Sequence, residues 1–167
     1  RLHEQYPGTY IQTHLSENKD EIDSTLSLCP DCQDYLEVYE RARLVTDRSI
    51  FGHCIHLSDS ECRRLVEAGS VVAHCPTSNL FLGSGLFDMQ QANRVGMQTG
   101  FATDIGAGTS FSMLRTMGEA YKVQQLGGYP MSVFESLYKC TLGAAKALHL
   151  DDEIGCFGKG RKADFIV

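Results

Sequence analysis

Four apolar, strand-like segments alternate with helix-like segments along this chain, and this alternation restricts the fold more than any other feature. The four segments are TYIQTHLSE (9–17), SIFGHCIHL (49–57), SVVAHCPTSN (70–79) and GMQTGFATDIGAG (96–108). Alternation of this kind is typical of βα units, in which buried parallel strands are joined by helices. We therefore predict an α/β fold that contains four βα units.

The helix-like segments differ in how clearly their ends are marked. Residues 58–69 begin at Ser58, with Glu61 three positions later, and end at Gly69, which is the pattern of a capped helix. Residues 21–45 have helical periodicity and predict the first crossover, whereas a long glycine-containing connection follows the third strand. Two more helices are predicted over residues 111–126 and 131–148. Glycine turns followed by a short strand are predicted over 155–167.

Composition excludes several classes of protein. The chain has 167 residues, of which 43% are hydrophobic, and a formal net charge of −6. This is enough apolar material for a substantial core, but the charge leaves no overall basic field for nucleic acid or an anionic membrane surface. No apolar run reaches the roughly 18 residues of a membrane span, and the first residues show no signal-peptide pattern, so a soluble protein is expected.

The cysteines indicate a reducing environment. Their number, seven, is odd, which favours free thiols in a cytosolic protein over a closed disulfide framework. Cys29 and Cys32, in CPDC, are the one close pair. A structural zinc site needs two more ligands at matching spacing, and a redox pair usually opens a helix after a strand. Neither context is evident, so this pair is predicted to be inert.

Each strand-like segment ends in residue types that bind metals or transfer protons. These residues are His14 with Glu17, His53 with His56, His74, and Asp104. Because the carboxyl ends of parallel strands meet at one edge of a sheet, their side chains are expected to lie near one another.

Each of these residues also has a structural explanation. A single histidine after a strand is more often a hydrogen-bonded structural residue than a ligand, and Asp104 can cap a helix that begins near Ser110. His56 is predicted to be structural, because its offset of three from His53 separates the two sides of an extended strand. The repetition over four successive strands is what favours a functional site.

The segments THLSEN, FGHCIHL, VVAHCPTSNLFLGSG and FATDIGAGTS resemble the second half of a metal-dependent deaminase of the amidohydrolase superfamily. The resemblance extends over essentially the whole chain. It implies a TIM-type (β/α)8 barrel with a small flanking β-sandwich. Residues 1–155 would supply barrel strands five to eight, and residues 156–167 would begin the return to the sandwich.

The resemblance also implies a role for each site residue. His14 and Asp104 would be metal ligands, and Asp104 would also carry a proton. Glu17 would be the general acid/base that acts on a ring nitrogen, and His53 would face the metal-bound water or the tetrahedral centre. His74 is treated as part of the pocket structure. The substrate contacts would come from His14, Leu15, Ser16, Glu17 and Asp104.

The implied reaction is hydrolytic deamination of an aminated ring by water, with one zinc ion per active site and iron as a less favoured metal. Guanine is the favoured substrate, giving xanthine and ammonia, and the full-length protein is expected to be a cytoplasmic homodimer. An imidazole and a carboxylate with an open coordination position suit catalytic zinc. The cytidine-type design is excluded, because it needs H-x-E with a later P-C-x-x-C, whereas this chain has H-x-x-E and LCPDC.

One feature of the family is missing from the sequence. The first-strand His-x-His pair, which supplies two metal ligands, does not occur, and four βα units are only half of a barrel. The chain is therefore expected to be part of a longer protein, and alone to be unable to hold zinc tightly or deaminate guanine. Two alternatives stay open, namely a deaminase of another aminated heterocycle and a non-catalytic interaction module.

Overall fold

The computed structural model describes residues 2–166 and contains one parallel sheet. Its strands are β1 (Ile11–Leu15), β2 (Ser49–His53), β3 (Val71–His74) and β4 (Gln98–Phe101), in the order β1-β2-β3-β4. The predicted parallel α/β arrangement is confirmed. All four strands run in one direction, so the polar residues that follow them are gathered at the same edge.

Helices cover the sheet and fill the connections between strands. They are α1 (Leu2–Gln5), α2 (Lys19–Leu28), α3 (Tyr35–Arg41), α4 (Asp59–Glu67), α5 (Pro76–Leu82), α6 (Met89–Val95), α7 (Met113–Leu126), α8 (Val133–Cys140) and α9 (Leu142–Ala147). Helix α4 has the predicted caps. The Ser58 side chain accepts a hydrogen bond from the Glu61 amide, and the Glu61 carboxylate accepts one from the Ser58 amide.

Two predicted helices are each divided in the structure. The segment 21–45 is divided by a turn in which the Cys32 amide donates to the Cys29 carbonyl, because Pro30 has no amide hydrogen with which to continue α2. The unpaired thiols of this turn lie at the surface end of α2 and outside the sheet. The segment 131–148 is divided at Thr141, whose backbone is not helical.

Two other expectations about the chain path were wrong. The third strand ends at His74 and not at Asn79, because Pro76 occupies the first position of α5 and favours a helix start. The connection to β4 therefore contains α5 and α6. The predicted short strand in the tail is not formed within residues 155–166, where no neighbouring strand provides a hydrogen-bonding partner.

The core lies between the sheet and the helices. Phe51 and Val72 from the strands are fully buried with Leu36 of α3, Leu65 of α4 and Met89 of α6. Burial of each such side chain contributes about 1.5–3 kcal/mol to folding. All seven cysteines are free thiols. No helix among residues 2–166 combines the length and apolar character that a membrane crossing requires.

Candidate metal centre

Three side chains from three strand ends converge at the carboxyl edge of the sheet. His14 lies in β1, His53 ends β2, and Asp104 follows β4, and each offers a ligand atom within 4.8 Å of the other two. They line a cavity of about 330 Å³ together with small residues, including Gly52, Ala73 and Ala102. The structure thus brings both predicted metal ligands and the predicted catalytic histidine into one cluster.

A glycine on β2 makes room for the His14 ring. Gly52 is the register partner of His14, and a Cβ at position 52 would lie 3.2 Å from His14 Cδ2. This separation is shorter than the 3.5–4.0 Å at which two carbon atoms attract each other best. The imidazole of His14 therefore occupies space that any other residue at position 52 would partly fill.

The backbone turns sharply where the site residues leave the strands. Ser16, His53, Cys54 and Asp104 all have positive φ angles, of 51°, 68°, 53° and 48°. For residues other than glycine this conformation is uncommon, and it is found where the surrounding structure imposes it, as at active sites. Backbone hydrogen bonds connect the strand ends. The Cys54 amide donates to the Leu15 carbonyl, and the Ile55 amide donates to the Ser16 carbonyl.

His53 is the central residue of the cluster. It is 1% exposed, and its Nδ1 lies 2.8 Å from Oδ1 of Asn79 in α5. Its Nε2 lies 3.8 Å from Asp104 Oδ2, and its ring centroid lies 5.1 Å from that of His14. A carboxamide oxygen can only accept a hydrogen bond, so this contact is a hydrogen bond when Nδ1 of His53 carries the proton. In that tautomer the Nε2 lone pair lies on the side of Asp104 and can accept a proton or bind a metal.

Glu17 lies beside the cluster but is not a member of it. Its Oε1 accepts a hydrogen bond of 2.8 Å from Ser84 Oγ and lies 3.7 Å from Nδ1 of His53. Its backbone amide donates to Glu21, at the capped start of α2, which fixes the direction in which the side chain leaves the backbone. The carboxylate is thus placed near the metal-binding groups without joining them.

The predicted substrate contacts at Leu15 and Ser16 occupy different surroundings. The Leu15 side chain is fully buried in the apolar core and does not line the cavity. Ser16 is also buried, and its hydroxyl has no hydrogen-bond partner among the described residues. Of the predicted contacts, only His14 and Asp104 reach the cavity wall.

His74 is buried in the apolar layer on the helix side of β3. It stacks on Phe87 with ring centroids 4.8 Å apart and meets Phe101 edge-on, and neither ring nitrogen has a hydrogen-bond partner among residues 2–166. Burial, together with the smaller effects of the nearby charges of His53 and Lys139, lowers its pKa to about 3. His74 is therefore neutral at pH 7, and its surroundings are those of a structural residue.

The structural roles predicted for Asp104 and His56 have different outcomes in the folded chain. Helix α7 begins at Met113 and is capped by Ser112, so the expectation that Asp104 caps it is wrong. His56 lies beyond the end of β2, and its Nε2 is 2.9 Å from the Ser84 carbonyl oxygen. The structural role predicted for His56 agrees with this bond, although the reasoning from an extended strand does not apply to it.

A model of the amidohydrolase family matches residues 2–167 of this chain. The chain belongs to the amidohydrolase family. A guanine deaminase of Escherichia coli (strain K12) is 53% identical over 167 residues, which make up 100% of this chain and 38% of that protein. A solved structure of E. coli guanine deaminase matches with a TM-score of 0.96 at 53% identity, covering 98% of this chain and 39% of the solved one.

Two further solved structures that match this chain contain ligands. A guanine deaminase from C. acetobutylicum, solved with guanine in its active site, matches with a TM-score of 0.86 at 30% identity over 95% of this chain and 39% of its own. An adenosine deaminase from Xanthomonas campestris, solved with bound zinc, matches with a TM-score of 0.88 at 28% identity over 98% of this chain and 37% of its own. The chain thus spans about two fifths of the length of these relatives.

The sequence reasoning missed two residues that support the cluster. Asn79 holds His53, and Ser84 holds Glu17, although 26 and 67 residues separate the members of these pairs. The sequence signal for Asn79 is the run of polar residues in HCPTSN, directly after a strand that ends in histidine. The prediction that this run belongs to the strand conceals that residues 76–79 start helix α5 beside the site.

Proposed function

We propose that this chain forms the metal-binding second half of an enzyme that hydrolyses guanine to xanthine and ammonia. The observation that carries the proposal is the convergence of His14, His53 and Asp104, with Glu17 beside them, in a chain 53% identical throughout its length to a guanine deaminase. Deamination of a purine requires attack at the carbon that bears the amino group, and two protonations, of the adjacent ring nitrogen and of the departing ammonia. The cluster contains the groups for these tasks.

The donor set fits a zinc ion. Imidazole nitrogen and carboxylate oxygen are both common zinc ligands, and we assign His14 and Asp104 to this role. A zinc ion held there would lower the pKa of a coordinated water to about 7 and so provide a nucleophile at neutral pH. Iron would accept the same ligands, and the zinc bound by the X. campestris relative supports zinc.

Further ligands are proposed to come from outside these 167 residues. A catalytic zinc site generally takes three or more protein ligands, and the chain contains no His-x-His pair. His53 lies close enough to complete a three-residue cluster, but its Nε2 lone pair is better used to orient the attacking water. The remaining ligands are therefore assigned to the part of the longer protein that this chain does not include.

Glu17 is proposed as the group that transfers protons to the substrate ring. Its Oε1 is held by Ser84, whereas no described residue donates a hydrogen bond to its other oxygen, which is left to meet a substrate nitrogen. Asp104 lies 3.8 Å from His53 Nε2 and would take up the proton released by the attacking water. Two carboxylates on opposite sides of one imidazole thus divide the two protonations between them.

The proposed architecture is half of a (β/α)8 barrel. Strands β1 and β4 have no neighbour on their outer sides among residues 2–166, so each leaves hydrogen-bonding groups with which a further strand can pair. We propose that β1 to β4 are strands five to eight, that residues 1–155 belong to the barrel, and that residues 156–167 lead to a flanking β-sandwich. The 38% coverage of the E. coli relative supports this division.

The test of the proposed function uses the longer protein that contains this chain, loaded with zinc. Release of ammonia is measured with guanine, adenine, cytosine and an amino-triazine, and xanthine is identified as the product from guanine. Turnover of guanine at least tenfold faster than that of the other rings supports the proposal. Faster turnover of another ring would establish the alternative of a different aminated heterocycle, which the 28% identity to an adenosine deaminase favours. Absence of ammonia from all four would favour a non-catalytic module.

We extend the proposal to the location and assembly of the longer protein. A cytoplasmic location is supported by the seven free thiols. Guanine and water are the proposed reactants. A homodimer is proposed from the family resemblance. Light scattering coupled to size-exclusion chromatography tests the dimer directly, and a monomer at micromolar concentration would contradict it.

A further inference from the structure

Among the described residues, the hydrogen-bond partner of the His53 imidazole lies on a neighbouring helix. Asn79, in α5, is 1% exposed and places Oδ1 2.8 Å from His53 Nδ1. The Asn79 amide donates to the Cys75 carbonyl, and the Asn79 carbonyl accepts from the Ser84 amide, both at 2.9 Å. The side chain of Asn79 is therefore held by a backbone that is bonded on both sides.

The same nitrogen of His53 has a second potential partner. Glu17 Oε1 lies 3.7 Å from Nδ1, which is too long for a hydrogen bond but short enough to become one after a small rotation. Two bonds oppose that rotation, because Asn79 already accepts the Nδ1 proton and Ser84 Oγ already donates to Glu17 Oε1 at 2.8 Å. Helix α5 and the residues that follow it thus keep an imidazole and a carboxylate from pairing.

The choice of a neutral partner has a chemical consequence. An asparagine oxygen fixes the Nδ1–H tautomer without adding a charge, so Nε2 keeps its lone pair toward Asp104, 3.8 Å away. If Glu17 took the place of Asn79, its carboxylate would be bonded to the histidine and withdrawn from the substrate. Asn79 Nδ2, by contrast, is buried without a partner among the described residues, so the amide is not held there by other hydrogen bonds of its own.

We propose that Asn79 is a positioning residue, which fixes His53 as the Nδ1–H tautomer and keeps it from pairing with Glu17. The inference rests on the proposed function for its catalytic meaning, but the tautomer is a property of the folded protein alone. Groups that orient a site histidine from behind typically change metal affinity or activity by 10–100-fold when they are removed.

The first experiment observes the tautomer without any turnover. The zinc-free longer protein is labelled with ¹⁵N-histidine, and long-range ¹H–¹⁵N correlation spectra identify the protonated nitrogen of His53, whose signals are assigned by their absence in His53→Gln. The expected result is a proton on Nδ1 in the wild type and in Asn79→Asp, which keeps an accepting oxygen. In Asn79→Leu, which is isosteric but cannot accept, Nε2–H should become a major form.

The second experiment measures guanine turnover in the same variants. Asn79→Leu should lower kcat roughly 10–100-fold while KM changes less than about threefold, and Asn79→Asp should recover at least part of kcat. Asn93→Leu is the matched control, because it removes a helical amide that bonds Lys139 and Glu135 and no histidine. In that control the His53 tautomer should be unchanged.

A proton on Nε2 of His53 in the wild type would overturn the inference, even if Asn79→Leu failed to fold. An unchanged tautomer in folded Asn79→Leu would overturn it as well. If the tautomer shifts as expected but the wild-type enzyme releases no ammonia from guanine, the inference about Asn79 holds and the proposed function fails. The two claims are thus separated by different measurements.

Discussion

The replacement Gly52→Ala should weaken the metal site without weakening the fold. The new methyl group would lie 3.2 Å from His14 Cδ2, and the ring would have to retreat by about 0.3–0.5 Å to regain a normal carbon contact. A displacement of 1 Å at a catalytic group costs about 10²-fold in rate, so this smaller shift should cost roughly four- to tenfold. Gly52 has an ordinary strand backbone, so alanine should raise the free energy of unfolding of the metal-free protein by up to about 1 kcal/mol.

The assay compares zinc affinity, turnover and stability in one set of variants. Zinc dissociation constants are measured by competition with a chelator, guanine turnover by ammonia release, and metal-free stability by urea unfolding. Gly100→Ala is the control, because a Cβ at position 100 meets only Ala144 and Lys139 at the ordinary distance of 3.6 Å. The reasoning is refuted if Gly52→Ala binds zinc as tightly as the wild type, or if Gly100→Ala loses as much affinity.

The other predictions concern the groups around that site. His14→Ala in the longer protein should strongly weaken zinc binding, and unchanged metal stoichiometry would remove His14 from the ligand set. Glu17→Gln should keep its zinc while turnover falls by about 10²–10⁴-fold, and loss of zinc would show that Glu17 is a ligand. The 167-residue chain alone should neither hold zinc tightly nor release ammonia from guanine, and turnover comparable to that of the longer protein would show that it contains a complete site. His74 has a pKa of about 3 in the folded state and about 6.5 when unfolded, so protonation favours the unfolded state as the pH falls below 6.5. The contribution of His74 to the free energy of unfolding should therefore be about 2 kcal/mol lower at pH 5 than at pH 7. His74→Gln should lose this part of the pH dependence in urea unfolding, and an identical pH profile would contradict the assignment.

The sheet and its functional edge were predictable because they depend on local patterns. Each strand-like segment changes from apolar residues to His14, His53 or Asp104 near its carboxyl end. Parallel βα units place those ends at the same edge of the sheet. The capped helix α4 was equally predictable, since the side chains of Ser58 and Glu61 each accept a hydrogen bond from the other's backbone amide. In each case the residues that determine the element lie within a few positions of one another.

The remainder of the site depends on contacts that no local pattern contains. Asn79 of α5 meets His53 at the end of β2 across 26 residues, and Ser84 meets Glu17 across 67 residues. The predicted strand over residues 70–79 is too long because it continues past the apolar residues 71–73 into HCPTSN, where Pro76 favours a helix start. The predicted tail strand is wrong for a related reason. A strand requires a neighbouring strand as hydrogen-bonding partner, and residues 155–166 have none in this structure.

Within residues 2–166 the outer sides of β1 and β4 are unpaired, and this has a consequence for biosynthesis. If this chain follows the first half of a barrel, ribosomes adding 5–20 residues per second would need roughly 8–33 s to complete these 167 residues. During that time the earlier strands would wait with exposed hydrogen-bonding groups, which are a template for aggregation. Strand β4, whose outer side is open here, would be the one whose arrival closes the ring. The nascent protein would therefore depend on chaperones most strongly just before its last barrel strand emerges.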